Sequence, residues 1–581
     1  MGIQSIQERW SSIKFDIQKK LLNTYMKQFY ILFLITISTT HVFCTDYYWV
    51  NNSGNWSDYN NHWATSSGGS LFHSSVPSYT DNVIFDQNSF AQLTDILVID
   101  ADASCNSFIF NNNLSPEISS VHDSVILRIN GDLTLNFLFN FSYYGELIFN
   151  GNSNITSSSN SLNSRIKFDS PGGNFNLSDE FCSTDTVRFV AGNFFTQNNT
   201  CRFNFIKDDD FGTRSLYFET SDVYVTGGIK GRNNTAQEHF YADSSRFVFN
   251  NALYLYAYYK SFNIVEINSP GLIASVDNGN IDSVIINSDC QFFLHAGYTN
   301  NITLDANPAD TIIIDVDGCT LGRIDGRSDS SDFVQLRYGE GQLSIDEVYS
   351  SADLEMIWYS IDVCYVDINK AMCMKNAKFT GFNYENSKRL QIQTMEIFGN
   401  GQYTSFYCDS LTLHPNTTHT FDPQAKQIFN NLFATGSASQ NIILRSSIPG
   451  VQDTIEMNHD FCGNYLDISD IFVYGPNNYY AGANSINTTN NAGWNFTSCA
   501  ATTDELSENK NILLYPVPAS DKIYFNEPVD AIKILDITGK QVYSTRENQI
   551  SSLVIGSLKG NFFMVELTNK SGVARRKLIV N

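Results

Sequence analysis

The chain has 581 residues and a formal net charge of −24, from 36 Lys and Arg against 60 Asp and Glu. An acidic surface of this size repels phosphate backbones, which argues against a nucleic-acid partner. Aromatic residues make up 14% of the chain and charged residues only 17%, a balance that argues against disorder. A chain of this length predicts several domains or a repeat architecture.

The first 45 residues have the pattern of an export signal. Met26 and Lys27 precede an apolar run from Phe29 to Ile37, and small and polar residues then lead to a cleavage position after Cys44. The apolar run is short for a membrane span. Residues 1–45 are therefore predicted to be an N-terminal extension and signal peptide, with Met26 as an alternative start of translation. A single N-terminal membrane anchor is the competing interpretation.

Cleavage after Cys44 leaves ten cysteines, an even number that permits disulfides in an exported chain. Their spacing is wide and includes no C-x-x-C, so it does not indicate a zinc site. The alternative is that many are small, buried, apolar residues. The ten are Cys105, Cys182, Cys201, Cys290, Cys319, Cys364, Cys373, Cys408, Cys462 and Cys499.

Residues 46–499, the body, are predicted to consist of short strands. Alternating segments such as SVILRI, RIKFD and TIIIDV recur between Asn, Gly, Ser and Asp residues, which is the pattern of strands bounded by turns. One stretch differs: PQAKQIFNNL, Pro423 to Leu432, predicts a helix of one or two turns.

A tripeptide of Asp, then Ser or Thr, then an aliphatic residue opens a strand six times in the body. The intervals fit irregular multiples of a unit in the low twenties, which favours an elongated parallel β-helix of roughly 20 coils whose repeats must stack to bury their apolar sides. A string of β-sandwiches is the competing fold, but its regular hairpin turns are sparse here.

The same tripeptides resemble the O-glycosylation acceptor motif of bacteria with a general periplasmic glycosylation pathway. The alternative is local strand-start geometry, because Asp and Ser hydrogen-bond nearby backbone while the aliphatic residue enters the core. The acceptor hydroxyls would be those of Ser124, Thr186, Ser283, Thr311, Ser410 and Thr454.

The last 71 residues carry the most specific pattern. After a polar linker at 500–510, residues 511–581 contain NILLYPVPASDKIYF, IKILDITGKQVY and a final ARRKLIVN. These segments predict seven short strands in a small Ig-like β-sandwich. They resemble a type A sorting domain of the type IX secretion pathway at Tyr515, Pro516, Pro518, Asp521, Asp536, Gly539, Lys540, Gly560 and Lys577.

Three segments of the body also resemble large surface proteins exported by type IX systems. They are the opening YYWVNNSGNWSDYNNHWATSSGG, the interior GNFFTQNNTCRFNF with SLYFETSDVYVTG after it, and the closing YYAGANSINTTNNAGWNFTSC. The resemblance implies signal-peptide export, handling by the type IX machinery, and release or attachment to surface glycolipid. It implies a β-helical body and says little about activity.

No catalytic, cofactor or metal site stands out, since the chain has no G-x-S-x-G, H-E-x-x-H or P-loop. His414 and His419 lie five residues apart, which does not fit a helical metal pair. Acidic residues in turns are usually solvated, although calcium is an alternative for three groups. The groups are Asp208 to Asp210, Asp315 with Asp317, and Asp100 with Asp102.

Aromatic clusters give the remaining functional indication. The cluster at Trp49, Trp56 and Trp63 predicts a cap over the end of the helix core, with a sugar-stacking surface as the alternative. Tyr254, Tyr256, Tyr258 and Tyr259 form a second cluster. The sequence therefore predicts an exported, all-β surface protein that acts as a non-enzymatic adhesin or glycan- or matrix-binding protein. A β-helical polysaccharide lyase or hydrolase is the alternative.

Overall fold

The chain folds into two compact units, Met1–Phe496 and Thr497–Asn581. The computed structural model describes residues 14, 16, 18–27, 44–137, 141, 143–208, 212–231, 238–307, 310–326, 333–338, 341–358, 364–380, 390–499, 512–536, 539–556, 558, 562–569 and 572–580. Residues 18–27 are helical. No described helix is both long and apolar enough to cross a membrane. The apolar run of the expected signal peptide lies outside the described residues.

Strands account for 60% of the structure and helix for 3%. In the first coils, a short helix at Tyr59–His62 accompanies thirteen strands. These strands are β1 (Asp46–Trp49), β2 (Gly54–Asn55), β3 (Trp63–Ala64), β4 (Asn82–Phe85), β5 (Ile96–Ile99), β6 (Ala103–Cys105), β7 (Phe108–Phe110), β8 (Glu117–Ser120), β9 (Ile126–Ile129), β10 (Leu133–Leu135), β11 (Glu146–Phe149), β12 (Ser153–Thr156) and β13 (Ser161–Leu162).

Longer strands make up the central coils and shorter ones the last coils. The central strands are β14 (Arg165–Leu177), β15 (Phe181–Phe195), β16 (Cys201–Asp208), β17 (Arg214–Tyr217), β18 (Asp222–Gly231), β19 (Glu238–Tyr241), β20 (Arg246–Phe249), β21 (Tyr254–Tyr258), β22 (Phe262–Ile267), β23 (Leu272–Asp277), β24 (Asn280–Ile286), β25 (Cys290–His295), β26 (Tyr298–Leu304), β27 (Thr311–Asp317), β28 (Thr320–Gly326), β29 (Phe333–Tyr338), β30 (Gly341–Trp358) and β31 (Cys364–Thr380). The last are β32 (Leu390–Ile397), β33 (Gly401–Tyr403), β34 (Phe406–Leu413), β35 (Thr417–Phe421), β36 (Gln427–Ala434), β37 (Ile442–Ser446), β38 (Asp453–Met457), β39 (Phe461–Cys462), β40 (Leu466–Ser469), β41 (Ile471–Tyr474), β42 (Tyr479–Tyr480) and β43 (Ile486–Thr489).

The strands of the body stack in parallel, each beside the strand one coil later, in about 17 turns. This confirms the parallel β-helix. Side chains of Asn250 and Asn268 hydrogen-bond across an offset of 18 residues, whereas those of Asn430 and Asn458 do so across 28. The count is somewhat below the roughly 20 coils expected from the sequence.

The cross-section of the body changes along the chain. From β14 to β20 each coil contributes three strands, so β15, β17 and β19 form a third face in register. Among the described strands, β19 pairs with no later partner. From β21 onward each coil contributes two main strands. The first strand of one coil pairs with the first strand of the next, as β21 does with β23, and the second with the second, as β22 does with β24. The third face therefore ends at β19.

Alternation along the strands places one set of side chains in a continuous interior core. In β27 the residues Ile312, Ile314 and Val316 are fully buried while their neighbours face outward. Burying each such side chain contributes roughly 1.5–3 kcal/mol. The phenyl ring of Phe168 stacks between those of Phe149 and Phe189, with centroids 5.2 and 5.3 Å away.

The three tryptophans of the opening segment close the start of this core. The indole ring of Trp63 lies edge-on to those of Trp49 and Trp56, with centroid distances of 5.0 and 4.8 Å. All three side chains are buried. The predicted cap is therefore correct, and the alternative of a sugar-stacking surface at these three residues is wrong.

The helix predicted at Pro423 to Leu432 is also wrong, because Gln427–Ala434 forms strand β36. This strand pairs in parallel with β34 on one side and β38 on the other. Phe429 is fully buried between neighbouring coils. Tertiary pairing on both sides overrides the weak local preference.

The cysteines of the body are mostly core residues. Cys462 is disulfide-bonded, whereas five free cysteines lie buried in the coils, and burial raises the pKa of Cys408 to about 12. The five are Cys105, Cys201, Cys290, Cys319 and Cys408. The side chains of Cys364 and Cys373 lie outside the described residues.

The second unit is a small antiparallel β domain, as expected. Its strands are β44 (Leu514–Tyr515), β45 (Lys522–Leu535), β46 (Gln541–Val554), β47 (Phe562–Asn569) and β48 (Gly572–Ile579). Its core includes Ile523, Ile532 and Val565. Seven short strands were expected, but β45 and β46 each continue through register shifts for 14 residues. Bulges of this kind bend a strand without ending it.

Candidate functional site

A shallow depression of about 420 Å³ opens on the outer surface of the first coils. Strands β6 and β9 pair in parallel beneath it, with Ser104 in register with Arg128. The ring of Tyr79, 62% exposed, stands beside the polar floor. The lining residues are Tyr79, Asp102, Ala103, Ser104, Arg128, Asn130 and Asn150.

The depression offers both hydrogen-bond donors and acceptors. Arg128 Nη1 lies 3.5 Å from Asp102 Oδ2, while Asp102 Oδ1 accepts the backbone N–H of Ile126 at 3.0 Å. Asn130 Oδ1 is buried and has no hydrogen-bond partner. An aromatic face beside an exposed carboxylate and a guanidinium suits a ligand that has both hydroxyl groups and apolar C–H surface.

Asp100, the neighbour considered with Asp102 as a calcium pair, has a different role. Its carboxylate accepts the backbone N–H of Ser57 at 3.0 Å and the hydroxyl of Ser57 at 2.6 Å. It thus joins the capping segment to β5. The two carboxylates serve separate partners, and no metal-binding group of the described residues includes them.

An aromatic ladder lies on the third face where that face ends. The rings of Phe195, Tyr217 and Tyr241 come from three successive coils and stack with centroid distances of 4.5 and 4.6 Å. Each ring covers the face of the next, so mainly ring edges and phenol groups remain outward. Tyr254 and Tyr256 of the sequence-predicted cluster stack at 5.1 Å beside it, and Tyr259 is exposed.

Four side chains converge at the carboxyl ends of β23, β25 and β27. Asp277, His295 and Asp317 are register partners on three successive coils. His295 Nδ1 lies 2.7 Å from Asp277 Oδ1, and its Nε2 lies 3.6 Å from Asp317 Oδ2. Asp315 joins them, because residues two apart on a strand share a face.

The corner after each of these strands explains the alignment. Asn278, Ala296 and Gly318 all adopt positive φ angles, of 54°, 49° and 59°. The N–H of Asn278 donates to His295 O, and that of Ala296 donates to Asp317 O, both at 2.8 Å. Identical corners stack, so the residues before them form a column.

The surroundings of Asp315 are mixed in charge. Burial and the neighbouring Asp317 raise the pKa of the Asp315 carboxyl, while His295 and Arg337 oppose this effect. Arg337 is the register partner of Asp315 on β29, and its Nε donates to Gln335. A guanidinium therefore lies next to two carboxylates and an imidazole on one strand face.

The other sequence candidates do not form comparable groups. Asp208 ends β16, and Asp209 and Asp210 lie outside the described residues. His414 Nε2 bonds Glu396 Oε1 at 2.8 Å on the surface, whereas His419 is fully buried. These two histidines do not share a site. His295 and Asp277 were not singled out from the sequence.

Three of the six Asp-Ser/Thr-aliphatic tripeptides, at Asp123, Asp310 and Asp453, stand at strand starts, whereas those at Asp185, Asp282 and Asp409 lie within β15, β24 and β34. Their aliphatic residues are buried, whereas all six hydroxyl residues are exposed or half-buried. The buried residues are Val125, Val187, Val284, Ile312, Leu411 and Ile455. Strand-start geometry therefore accounts for only three of the tripeptides, while alternation leaves the hydroxyl residues Ser124, Thr186, Ser283, Thr311, Ser410 and Thr454 exposed or half-buried.

In the second unit, most of the positions that resemble the sorting-domain pattern occupy turns and strand ends. Asp536 Oδ1 accepts the backbone N–H of Lys540 at 3.0 Å, across a turn in which Gly539 has φ +82°. Tyr515 is exposed and stacks on Tyr524 at 6.2 Å. Other positions of the pattern are Pro516 and Pro518 in the bend after β44, Asp521 before β45, and Lys577 on β48 above the Phe562 ring. Gly560 lies outside the described residues.

Comparison with known proteins bears on this second unit. Residues 513–581 match the family model of the secretion system C-terminal sorting domain. No curated protein and no solved structure matches the chain. The function of the body must therefore be argued from its own surface.

Proposed function

We propose that this chain, which carries a type IX secretion C-terminal sorting domain, is an exported protein whose β-helical body binds glycans outside the cell. The sorting domain implies handling by the type IX machinery and delivery to the cell surface or the extracellular space. In the proposal the body is a non-enzymatic adhesin or matrix-binding protein. Its export would begin at a signal peptide within residues 1–45.

The depression beside Tyr79 is the observation that carries glycan binding. A pyranose ring has an apolar face that stacks on an exposed aromatic ring and hydroxyl groups that need donors and acceptors. Tyr79 offers the aromatic face, Arg128 offers donors, and the carboxylate of Asp102, whose side chain is 57% exposed, offers acceptors. A shallow site binds weakly, so attachment to a polymeric glycan would gain strength from many contacts.

The test is a glycan array probed with the purified full chain and with Tyr79→Ala. We expect a bound glycan class and at least tenfold weaker binding by the variant, since about 1.4 kcal/mol of lost stacking is a factor of ten. Tyr144 is a matched control because it is 63% exposed and does not line the depression. Equal binding by Tyr79→Ala and Tyr144→Ala would contradict the proposed site.

A second function is favoured by the cluster on β23 to β29. Asp277, Asp315 and Asp317 lie with His295 and Arg337 on one face, and polysaccharide-degrading enzymes use carboxylates for acid–base work. A reducing-sugar assay on the same purified chain separates the two functions. Release of sugar ends that is lost in Asp315→Asn would support the enzyme, and binding without release would support the adhesin.

A further inference from the structure

We propose that His295, Asp315 and Asp317 bind one divalent transition-metal ion, with Asp277 orienting the histidine. One ligand atom from each of the three residues lies within 4.8 Å of the other two. The ligands come from β25 and β27, two rigid strands held in register by the column of corners. The site is separate from the depression at Tyr79.

The distance between the ligand atoms of His295 and Asp317 fits a shared metal ion better than a direct hydrogen bond. His295 Nε2 and Asp317 Oδ2 are 3.6 Å apart, which is too long for a hydrogen bond. Two ligands at about 2.1 Å from a tetrahedral zinc ion lie about 3.4 Å from each other. A small shortening of the distance between His295 Nε2 and Asp317 Oδ2 would therefore bring these two ligand atoms to the separation of a tetrahedral site.

Asp277 settles which nitrogen of His295 faces the other carboxylates. An ionised carboxylate only accepts hydrogen bonds, so the 2.7 Å contact means that Nδ1–H donates to Asp277 Oδ1. In the neutral imidazole the Nε2 atom is then the lone-pair nitrogen, and it lies 3.6 Å from Asp317 Oδ2. A carboxylate that holds the remote nitrogen of a metal-bound histidine is a common arrangement, since it fixes the tautomer and increases the basicity of the ligand.

The donor set selects the class of metal. One imidazole nitrogen with two carboxylates suits Zn²⁺, Co²⁺ or Ni²⁺, whereas Ca²⁺ requires six to eight oxygen ligands. The side chains of His295 and Asp317 remain 38% and 34% exposed. Three protein ligands and an open side leave at least one position for water or another exchangeable ligand.

The experiment uses the purified full chain, stripped of metal by a chelator and titrated with zinc chloride in a calorimeter. We expect one equivalent to bind, with affinity at least tenfold weaker in His295→Ala and in Asp317→Asn. Asp277→Ala should weaken binding about tenfold although it removes no metal ligand. Unchanged melting temperatures of these surface variants without metal would show that they fold.

His414→Ala is the matched control, because His414 is a surface histidine paired with one carboxylate, Glu396. Its zinc affinity should equal that of the unmodified chain. Titration with cobalt chloride gives a second readout, since a thiolate charge-transfer band would assign the metal to a cysteine and overturn the proposal. Absence of binding, or equal affinity in His295→Ala, would overturn it as well.

Discussion

Tyr403 and His419 hydrogen-bond to each other inside the core, with the phenol oxygen 2.8 Å from imidazole Nδ1. The hydroxyl oxygen of Thr417 lies 2.8 Å from Nε2, so both ring nitrogens have partners. Burial lowers the pKa of His419 to about 3. The imidazole therefore remains neutral wherever the fold persists, and its role is structural.

This pair predicts a loss of stability in acid. The pKa of His419 in the folded chain, about 3, lies below the value of about 6.5 in an unfolded chain. Between these values the unfolded chain binds more protons, so the free energy of unfolding falls as pH falls, by up to about 1.4 kcal/mol per pH unit. Thermal unfolding at pH 7.5 and pH 4.5 should show a smaller loss in His419→Gln than in the unmodified chain; equal losses would contradict the assignment.

The contribution of Asp453 to the free energy of unfolding should depend on pH in the opposite direction. Its side chain is fully buried, and burial raises its pKa to about 7 although the backbone N–H of Thr454 acts in the opposite direction. A raised pKa favours the folded state in acid, and this contribution is lost as pH rises from about 4 through 7. Asp453→Asn should therefore gain stability relative to the unmodified chain between pH 5 and pH 8, by about 2–4 kcal/mol. If the difference in stability between Asp453→Asn and the unmodified chain stayed constant from pH 5 to pH 8, the carboxyl of Asp453 would not ionise in this range.

Replacing Phe168 with alanine should cause a large packing defect in one part of the core. Its ring is buried in the stack with Phe149 and Phe189, so Phe168→Ala should cost about 3–5 kcal/mol in denaturant unfolding. Phe137, which is exposed, is the control, and Phe137→Ala should change stability by less than about 0.5 kcal/mol. Because each coil contacts only its neighbours, proteolysis of the Phe168 variant should begin near that coil. Uniform cleavage along the body would argue against this.

The sorting domain predicts where the chain goes and how it is processed. Deleting residues 504–581 should leave the body in the periplasm, because the domain matched at 513–581 would be missing. In the complete chain we expect cleavage between about Ala500 and Asn511, since this polar segment directly precedes the residues that match the sorting-domain model. Mass spectrometry of the surface and medium fractions checks both points. Exported chains that still end at Asn581 would contradict processing.

We expect the hydroxyl residues of the six Asp-Ser/Thr-aliphatic tripeptides to be modified during export. Because they lie on the outer side while the next residue is buried, a glycan at Ser124 or Thr311, for example, would not disturb the core. The mass of the exported body should exceed its sequence mass, and Ser124→Ala should remove one glycan unit. Ser447, which is exposed and lies outside any such tripeptide, is a control position at which Ala should remove none. If the exported body had its unmodified sequence mass, the tripeptides would have a structural role and no role as glycosylation sites.

Alternation and turn residues predicted the all-β fold and the coiled body, since inward and outward positions recur along every strand. The cluster at His295 could not be predicted in the same way. Asp277, His295 and Asp317 lie 18 and 22 residues apart, and only the register brings them together. The corner at Ala296 also has φ 49°, a conformation that alanine rarely adopts, so its sequence gave no sign of the repeated turn.

The column of corners has a consequence for how this protein evolves. Each outward position before a corner belongs to a different coil, while the inward neighbours Val276, Leu294 and Val316 remain buried in the core. One outward residue can therefore be exchanged without loss of the fold, and a binding site can be gained or lost one coil at a time. Related chains with the same coils would then differ in ligand while sharing every buried residue of the column.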